Sequence, residues 1–387
     1  MRIEHISIDE VTPGRSRVAA SPGDDELWFD VPVSRNALPT TIADSFLIMA
    51  LAGSMLRNED IVVADEYPVS RHLVDNLHTI QKVFHHWNRQ FKPVEIHASL
   101  TDPDPGTAGC ISCFSGGIDS IHCLLTNQSR VDSTLFIGGY DFSFSGPELA
   151  VAESRNQAIL QVLGLPGVSV YTNQMEWGQR TGVARDFWNS GYLAAAASLL
   201  GVHSVLIPSS RSFDDLQPNG SHLILDHLWT NGATQFEHVG AQFKRSEKIA
   251  QVCAYPQLLD LLHVCWRSST ENCGRCGKCL RTMIALECIG KTGPFPRRIT
   301  EKDIRKLVIT SSQDQAYFID NILFAHSLGR RDLVRALKAP IRRFDRANAF
   351  VYADRGFLFG KLSHLKKRFR PYTTRVGRTN GRPDLDL

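Results

Sequence analysis

The chain has 387 residues, 43% of them hydrophobic and 21% charged, with 43 Lys and Arg against 40 Asp and Glu. That balance excludes a wholly disordered chain, and the length suits two or three domains better than one. The formal charge of +3 hides a division, with net −7 over residues 1–107, −3 over 108–290 and +13 over 291–387.

Taken in chain order, short strands are expected at residues 26–31 and 60–64. Helices are expected at 41–57 and at 70–91, where Leu73, Leu77, Ile80, Val83 and Trp87 recur at helical spacing. A strand at 94–97 completes a small α/β N-terminal domain, 1–107, and the Pro-, Asp- and Gly-rich residues 101–109 read as its linker. From Cys110 the pattern becomes repeated strand, turn and helix. Strands are expected at 109–114, 133–138, 168–172 and 204–208, with helices at 120–126, 147–163 and 184–200. This is the signature of an α/β doubly wound parallel sheet and groups residues 108–291 as one catalytic domain. Further helices are expected at 247–259, from about residue 280, and at 301–308, 314–326 and 331–337. Residues 292–387 thus read as a mainly helical basic region with a mobile tail from 361.

The first residues, Met1-Arg2-Ile3-Glu4-His5, carry charge where a secretory leader carries an apolar segment, and the apolar stretch 46–56 is too short for a bilayer. A cytoplasmic protein with no membrane partner is the expectation. The basic C-terminal region would meet nucleic acid or another acidic partner, or dock on the chain's own acidic surface.

The segment Ser115-Gly116-Gly117-Ile118-Asp119-Ser120 follows an apolar strand and opens a helix. Adjacent glycines let backbone N–H groups approach an anion, the helix start adds partial positive charge, and Ser115 and Ser120 carry hydroxyl donors. Asp119 would repel a phosphate unless Mg²⁺ stood between them. An ordinary strand-to-helix turn capped by Ser120 is the plainer alternative. Downstream, Asp214 and Asp215 follow the strand at 204–208, where paired carboxylates at the carboxyl edge of a parallel sheet can hold Mg²⁺ or orient a nucleophile. Residues 218–229, with Ser221 and His222, concentrate donors and acceptors on one loop and make a candidate substrate pocket, while Arg245 and Lys248 could reach phosphate.

Cys265, Cys273, Cys276 and Cys279 have the spacing of a Cys₄ zinc knuckle within residues 265–281, with an iron–sulfur cluster as the competing reading. Arg275, Lys278 and Arg281 would offset the thiolate charge. Cys110, Cys113, Cys123, Cys253 and Cys288 read as small buried residues.

The loop Ser115 to Ser120 resembles the signature of the PP-loop ATP pyrophosphatase superfamily, whose fold is adenine nucleotide alpha hydrolase-like. The cysteine run is similar to the zinc site of its 7-cyano-7-deazaguanine synthase branch. The resemblance spans about residues 109–290. It implies an ATP-dependent, C–N bond-forming ligase. ATP and Mg²⁺ would bind at Ser115, Gly116, Gly117, Asp119 and Ser120, with Asp214, Asp215 and Lys248 assisting catalysis. A carboxylate or amide oxygen would be adenylated with release of pyrophosphate, and ammonia or an amine would displace AMP to give an amide or nitrile. Ser221, His222 and Arg245 would contact the substrate, and Zn²⁺ would be structural. Ile121 and Trp266 stand where the branch has Thr and Tyr, so a relative acting on another acid or amide is expected. A tRNA-modifying PP-loop enzyme and an inactive nucleotide-binding regulatory module are the alternatives.

Overall fold

The computed structural model describes residues 1–358 except Asp24, 141–145, Ala184 and Ser269, and leaves the side chains of Arg185, Gln313 and residues 350–358 undescribed. The tail expected from 361 lies outside the described residues. The chain divides into two compact units, one ending at Gln242 and the other beginning at Phe243.

The first unit opens with β1 (Arg2–Ile3), β2 (Ser7–Thr12), β3 (Arg15–Ala20), β4 (Leu27–Val31), α1 (Ala43–Arg57), β5 (Ile61–Val63), β6 (Val69–Ser70), α2 (Arg71–Trp87), β7 (Ile96–His97) and β8 (Leu100–Thr101). It continues with β9 (Thr107–Cys113), α3 (Ile118–Thr126), β10 (Ser133–Gly138), α4 (Pro147–Leu163), β11 (Gly167–Thr172), α5 (Gln174–Arg180), α6 (Asn189–Ser198), β12 (Val202–Pro208) and β13 (Gln235–Val239).

Eight strands form one mixed sheet in the order β13-β12-β9-β10-β11-β4-β3-β2. The five from β13 to β11 are parallel, and β4, β3 and β2 continue the sheet antiparallel. Chain order steps outward one way from β9 through β10 to β11, then returns to the other side of β9 for β12 and β13. The direction of winding therefore reverses between β9 and β12. Smaller parallel sheets join β1, β5 and β7, and β6 and β8.

The first 107 residues do not stand apart as the sequence suggests. Phe29 and Asp30 of β4 pair with Thr172 and Tyr171 of β11, so the N-terminal hairpin extends the main sheet. Hydrophobic periodicity shows which residues form strands and is silent about which strands pair. Helix α1 is buried from Ala43 to Met55, which fits a helix apolar on all sides. It packs on α6 and on β5 and β1. Its core includes Ile111, Cys113, Leu135, Ile137, Val205, Ile207 and Phe236 from one face of the main sheet. Ser112, between two of these, turns to the other face, its Oγ 3.4 Å from Cys123 Sγ on α3. Helices thus cover both faces of the parallel part.

The second unit is helical, with α7 (Arg245–Val252), α8 (Pro256–Asp260), α9 (Gly277–Cys288), α10 (Glu301–Arg305), α11 (Ser312–Ser327) and α12 (Arg331–Leu358). The single helix expected at 247–259 is two, because Pro256 has no N–H to continue the ladder and instead starts α8. The helix expected to stop at 337 runs on to Leu358. Met283, Ile284, Cys288, Ile304, Phe318, Leu333, Leu337 and Phe344 form this unit's core. Among the described residues no helix is long and apolar enough to cross a membrane.

Candidate functional site

The loop Ser115 to Ser120 leaves the carboxyl end of β9 and opens α3, with Gly117 at the helix N-cap. Gly116 has φ +71°, in the left-handed region, and a Cβ there would run into Oδ1 of Asn156 on α4. Both constraints require glycine. Ser120 is buried; its hydroxyl donates to the Gly117 carbonyl at 3.0 Å and accepts from the Ser115 N–H at 3.3 Å. Its proton thus braces the loop instead of facing an anion, whereas Ser115 is exposed. Asp119 lies half-buried in the first turn of α3, where the helix leaves N–H groups without intrahelical partners. The loop can cradle an anion with backbone N–H groups and the Ser115 hydroxyl.

The Asp214 and Asp215 pair follows the end of β12, the strand beside β9. The Ser209 N–H donates to the Val239 carbonyl and the Phe213 N–H to the Ala241 carbonyl, both at 2.8 Å, so this loop runs along the carboxyl end of β13. The two carboxylates differ. Asp214 is exposed. Asp215 forms a 2.6 Å ion pair with Arg211 and accepts from Gln217 Nε2 at 2.9 Å. As a metal contact, Asp215 would have to give up Arg211.

Ser221 and His222 belong to a buried polar cluster centred on Asp226, which is fully buried at the start of the turn Asp226–Trp229. Asp226 accepts from the Ser221 hydroxyl at 2.9 Å, from the His222 N–H at 3.0 Å and from Nδ1 of His238 at 2.7 Å. A carboxylate receiving these donors leaves the His238 proton on Nδ1. Nδ1 of His222 accepts from the Ile224 N–H at 3.1 Å, and its ring meets Trp87 edge-on at 5.2 Å. Burial pushes the His222 pKa down, with the nearby His238 next in effect.

Sequence reading picked out Ser221 and His222 but missed His238, which lies on β13, a five-residue strand with weak alternation. Asn156 was missed as well, since nothing in its surroundings marks an interior helical asparagine as the neighbour of a loop glycine.

In the second unit, Cys265, Cys273, Cys276 and Cys279 bring their sulfur atoms within 4.8 Å of one another. Cys265 and Cys276 are 3.9 Å apart and Cys273 and Cys279 4.0 Å, against edges of about 3.8 Å for a tetrahedron of 2.3 Å Zn–S bonds. Backbone N–H groups of Arg267, Cys276 and Cys279 point at Cys265, Cys273 and Cys276 respectively, at 3.3–3.4 Å. Such donors favour thiolates. Cys276 is held below the ordinary thiol range, first by hydrogen bonding from the Cys279 side chain. The donor set fits one tetrahedral metal ion. Arg281 lies 3.6 Å over the Tyr317 ring and ties α9 to α11.

Arg245 and Lys248, expected at a phosphate, sit on α7 of this second unit. Both are buried, not exposed on a helix surface. Ser246 between them donates through N–H and hydroxyl to Asp320 of α11, at 3.0 and 2.6 Å.

The other five cysteines are not poised as nucleophiles. Burial raises the Cys253 thiol to about 11 and Cys288 to about 12, and pushes Cys110 and Cys113 up as well; Cys123 is buried. A cavity of about 470 Å³ elsewhere in the first unit, lined by His5, Glu26 and Glu59 among others, holds none of the expected site residues. No protein-family model, curated protein or solved structure matches the chain.

Proposed function

We propose that the protein is an ATP-dependent adenylating enzyme of PP-loop type, with a doubly wound catalytic fold, that activates a carboxylate or amide oxygen for attack by ammonia or an amine. One observation carries the reading: the glycine loop after β9 and the acidic loop after β12 flank the point where the winding of the sheet reverses. Open α/β sheets bind ligands at the carboxyl ends of their strands at such a point. In this reading the ATP phosphates lie over the N–H groups of Gly116, Gly117 and the first turn of α3. Asp119 and Asp214 would hold the Mg²⁺ that offsets the phosphate charge. The protein's work is to align the attack on the α-phosphate and to stabilise its charge. The Cys₄ set is a closed structural zinc site, because four thiolates leave no coordination position for substrate.

Incubation with α-labelled ATP, Mg²⁺, pooled carboxylic acids and ammonium tests the reading. AMP and pyrophosphate formed only when an acid is present support it. ADP as the product, or ATP bound without turnover under every condition, refutes it.

A further inference from the structure

His238 and Asp226 have no role in the reading above. The register that pairs Leu206 with Ser112 brings Ile207 beside Cys113, and Ile207 pairs directly with His238. Cys113, the last residue of β9, and His238 therefore stand in one row two strands apart, roughly 10 Å at ordinary strand spacing. Both lie on the face that carries Ile207 and Phe236. Asp226 lies close enough to this row that its charge, after burial and Cys123, helps push the Cys113 thiol up.

The imidazole is oriented as an acid–base group requires. Its Nδ1 is committed to a fully buried carboxylate at 2.7 Å, and the side chain is 5% exposed. Asp226 is itself fixed by the Ser221 hydroxyl and the His222 N–H. Among the described residues the side-chain hydrogen bond of His238 goes to Asp226, and Nε2 is not among the buried atoms lacking a partner. Nε2 is thus the nitrogen left to exchange a proton at the carboxyl edge of the sheet. Charged or titratable groups around the pair include Cys113 of β9, which feels Asp226, and His222 from its own loop, which feels both members of the pair and also Arg211 from the loop after β12.

We propose that His238 is the general base for the amine in the second half of the reaction, with Asp226 as its positioning residue; this rests on the adenylation reading. The amine nitrogen forms a bond to the activated carbon, and the bond from that carbon to the AMP oxygen breaks. The ammonium proton whose loss frees the attacking lone pair passes to Nε2 of His238, where Asp226 stabilises the imidazolium until that proton leaves to solvent, and the N–H proton released as the amide forms goes directly to solvent.

The test compares two nucleophiles with the full-length protein, ATP, Mg²⁺ and pooled carboxylic acids. Ammonium must lose a proton before it attacks at neutral pH, whereas hydroxylamine is already neutral. His238→Gln is expected to lower amide formation from ammonium by about 100-fold while hydroxamate formation from hydroxylamine falls far less. Asp226→Asn should show the same imbalance, and the ammonium deficit should shrink as the pH is raised. Equal loss with both nucleophiles in a variant that melts like the wild type overturns the base role alone. If His238→Gln does not fold, Asp226→Asn and the wild-type pH profile decide by the same imbalance. No hydroxamate from the wild type with any acid removes the adenylation reading, and the base role with it.

Discussion

Arg211 pairs with Asp215 across 2.6 Å while the adjacent Asp214 stays exposed, so two neighbouring carboxylates of one turn have different work. The pair's side chains are 9% and 20% exposed, which keeps solvent from screening it fully. Asp215→Asn should therefore act on the fold, lowering stability by about 1–2 kcal/mol as Arg211 loses its charged partner. Asp214→Asn, at an exposed side chain, should lower the melting temperature less than Asp215→Asn does. On the adenylation reading it should cut pyrophosphate release about 100-fold at saturating Mg²⁺. Melting curves and pyrophosphate release on the two variants check both halves. Equal activity loss in the two would remove the assignment of the metal to Asp214.

Gly116→Ala combines two penalties, a left-handed backbone and a collision with the Asn156 amide. The backbone alone costs an alanine about 1–2 kcal/mol. The Asn156 side chain must also swing away, which shifts the loop under any bound phosphate. ATP affinity, measured by calorimetry, is expected to fall at least about tenfold, since about 1.4 kcal/mol corresponds to that factor. Asn156→Ala in the same chain should recover part of the loss. Unchanged affinity in Gly116→Ala would argue that the loop does not hold the nucleotide.

The legible parts of this fold are those governed by local rules. Strand β10 and helix α4 occur at the residues expected, the helix marked by Pro147 in its first turn and by Gly164 at its end with φ +67°. Strands β2 and β3 went unread because β2 lies largely in solvent at the sheet edge, where Ser7–Thr12 has no apolar face to alternate. The site divides the same way. The glycine loop announces itself within six residues and the cysteines within fifteen. The hydrogen bond of Asp226 with His238 involves a strand with no strong pattern, and the contact of Gly116 with Asn156 joins residues forty positions apart, so each exists only once the chain has folded.

Asp44 is fully buried and accepts from the Ser70 N–H at 2.9 Å and from Asn231 Nδ2 at 3.0 Å, tying α1 to the start of α2 and to the turn before β13. Burial, outweighing these hydrogen bonds, raises its pKa from the usual carboxylate value to about 7. The folded state therefore keeps a proton that the unfolded chain has released. The stability linked to this proton is fully present below the ordinary carboxylate pKa, declines as the pH rises, and is lost above about 7. Asp44→Asn should remove that dependence, so the variant gains on the wild type by up to about 1.4 kcal/mol per pH unit between roughly pH 5 and 7. Urea unfolding of both proteins across that range is the measurement. Parallel pH profiles would mean that Asp44 stays ionised in the folded protein.

The cysteine set predicts both a metal and a location for its effect. Elemental analysis should find about one zinc per chain. A metal held by the four cysteines would tie the loop before α9 to the first turn of that helix, whose Met283, Ile284 and Cys288 belong to the core of the second unit. Chelation, or Cys276→Ser, should therefore loosen that unit first. Hydrogen exchange should rise across α9, α10 and α11 while β9, β10 and β12 of the first unit keep their protection, because their core is built from separate residues. Iron with a visible chromophore instead of zinc would leave the geometry intact but replace a closed structural ion with a redox cluster. Unchanged exchange after chelation would mean that helix packing alone holds the unit.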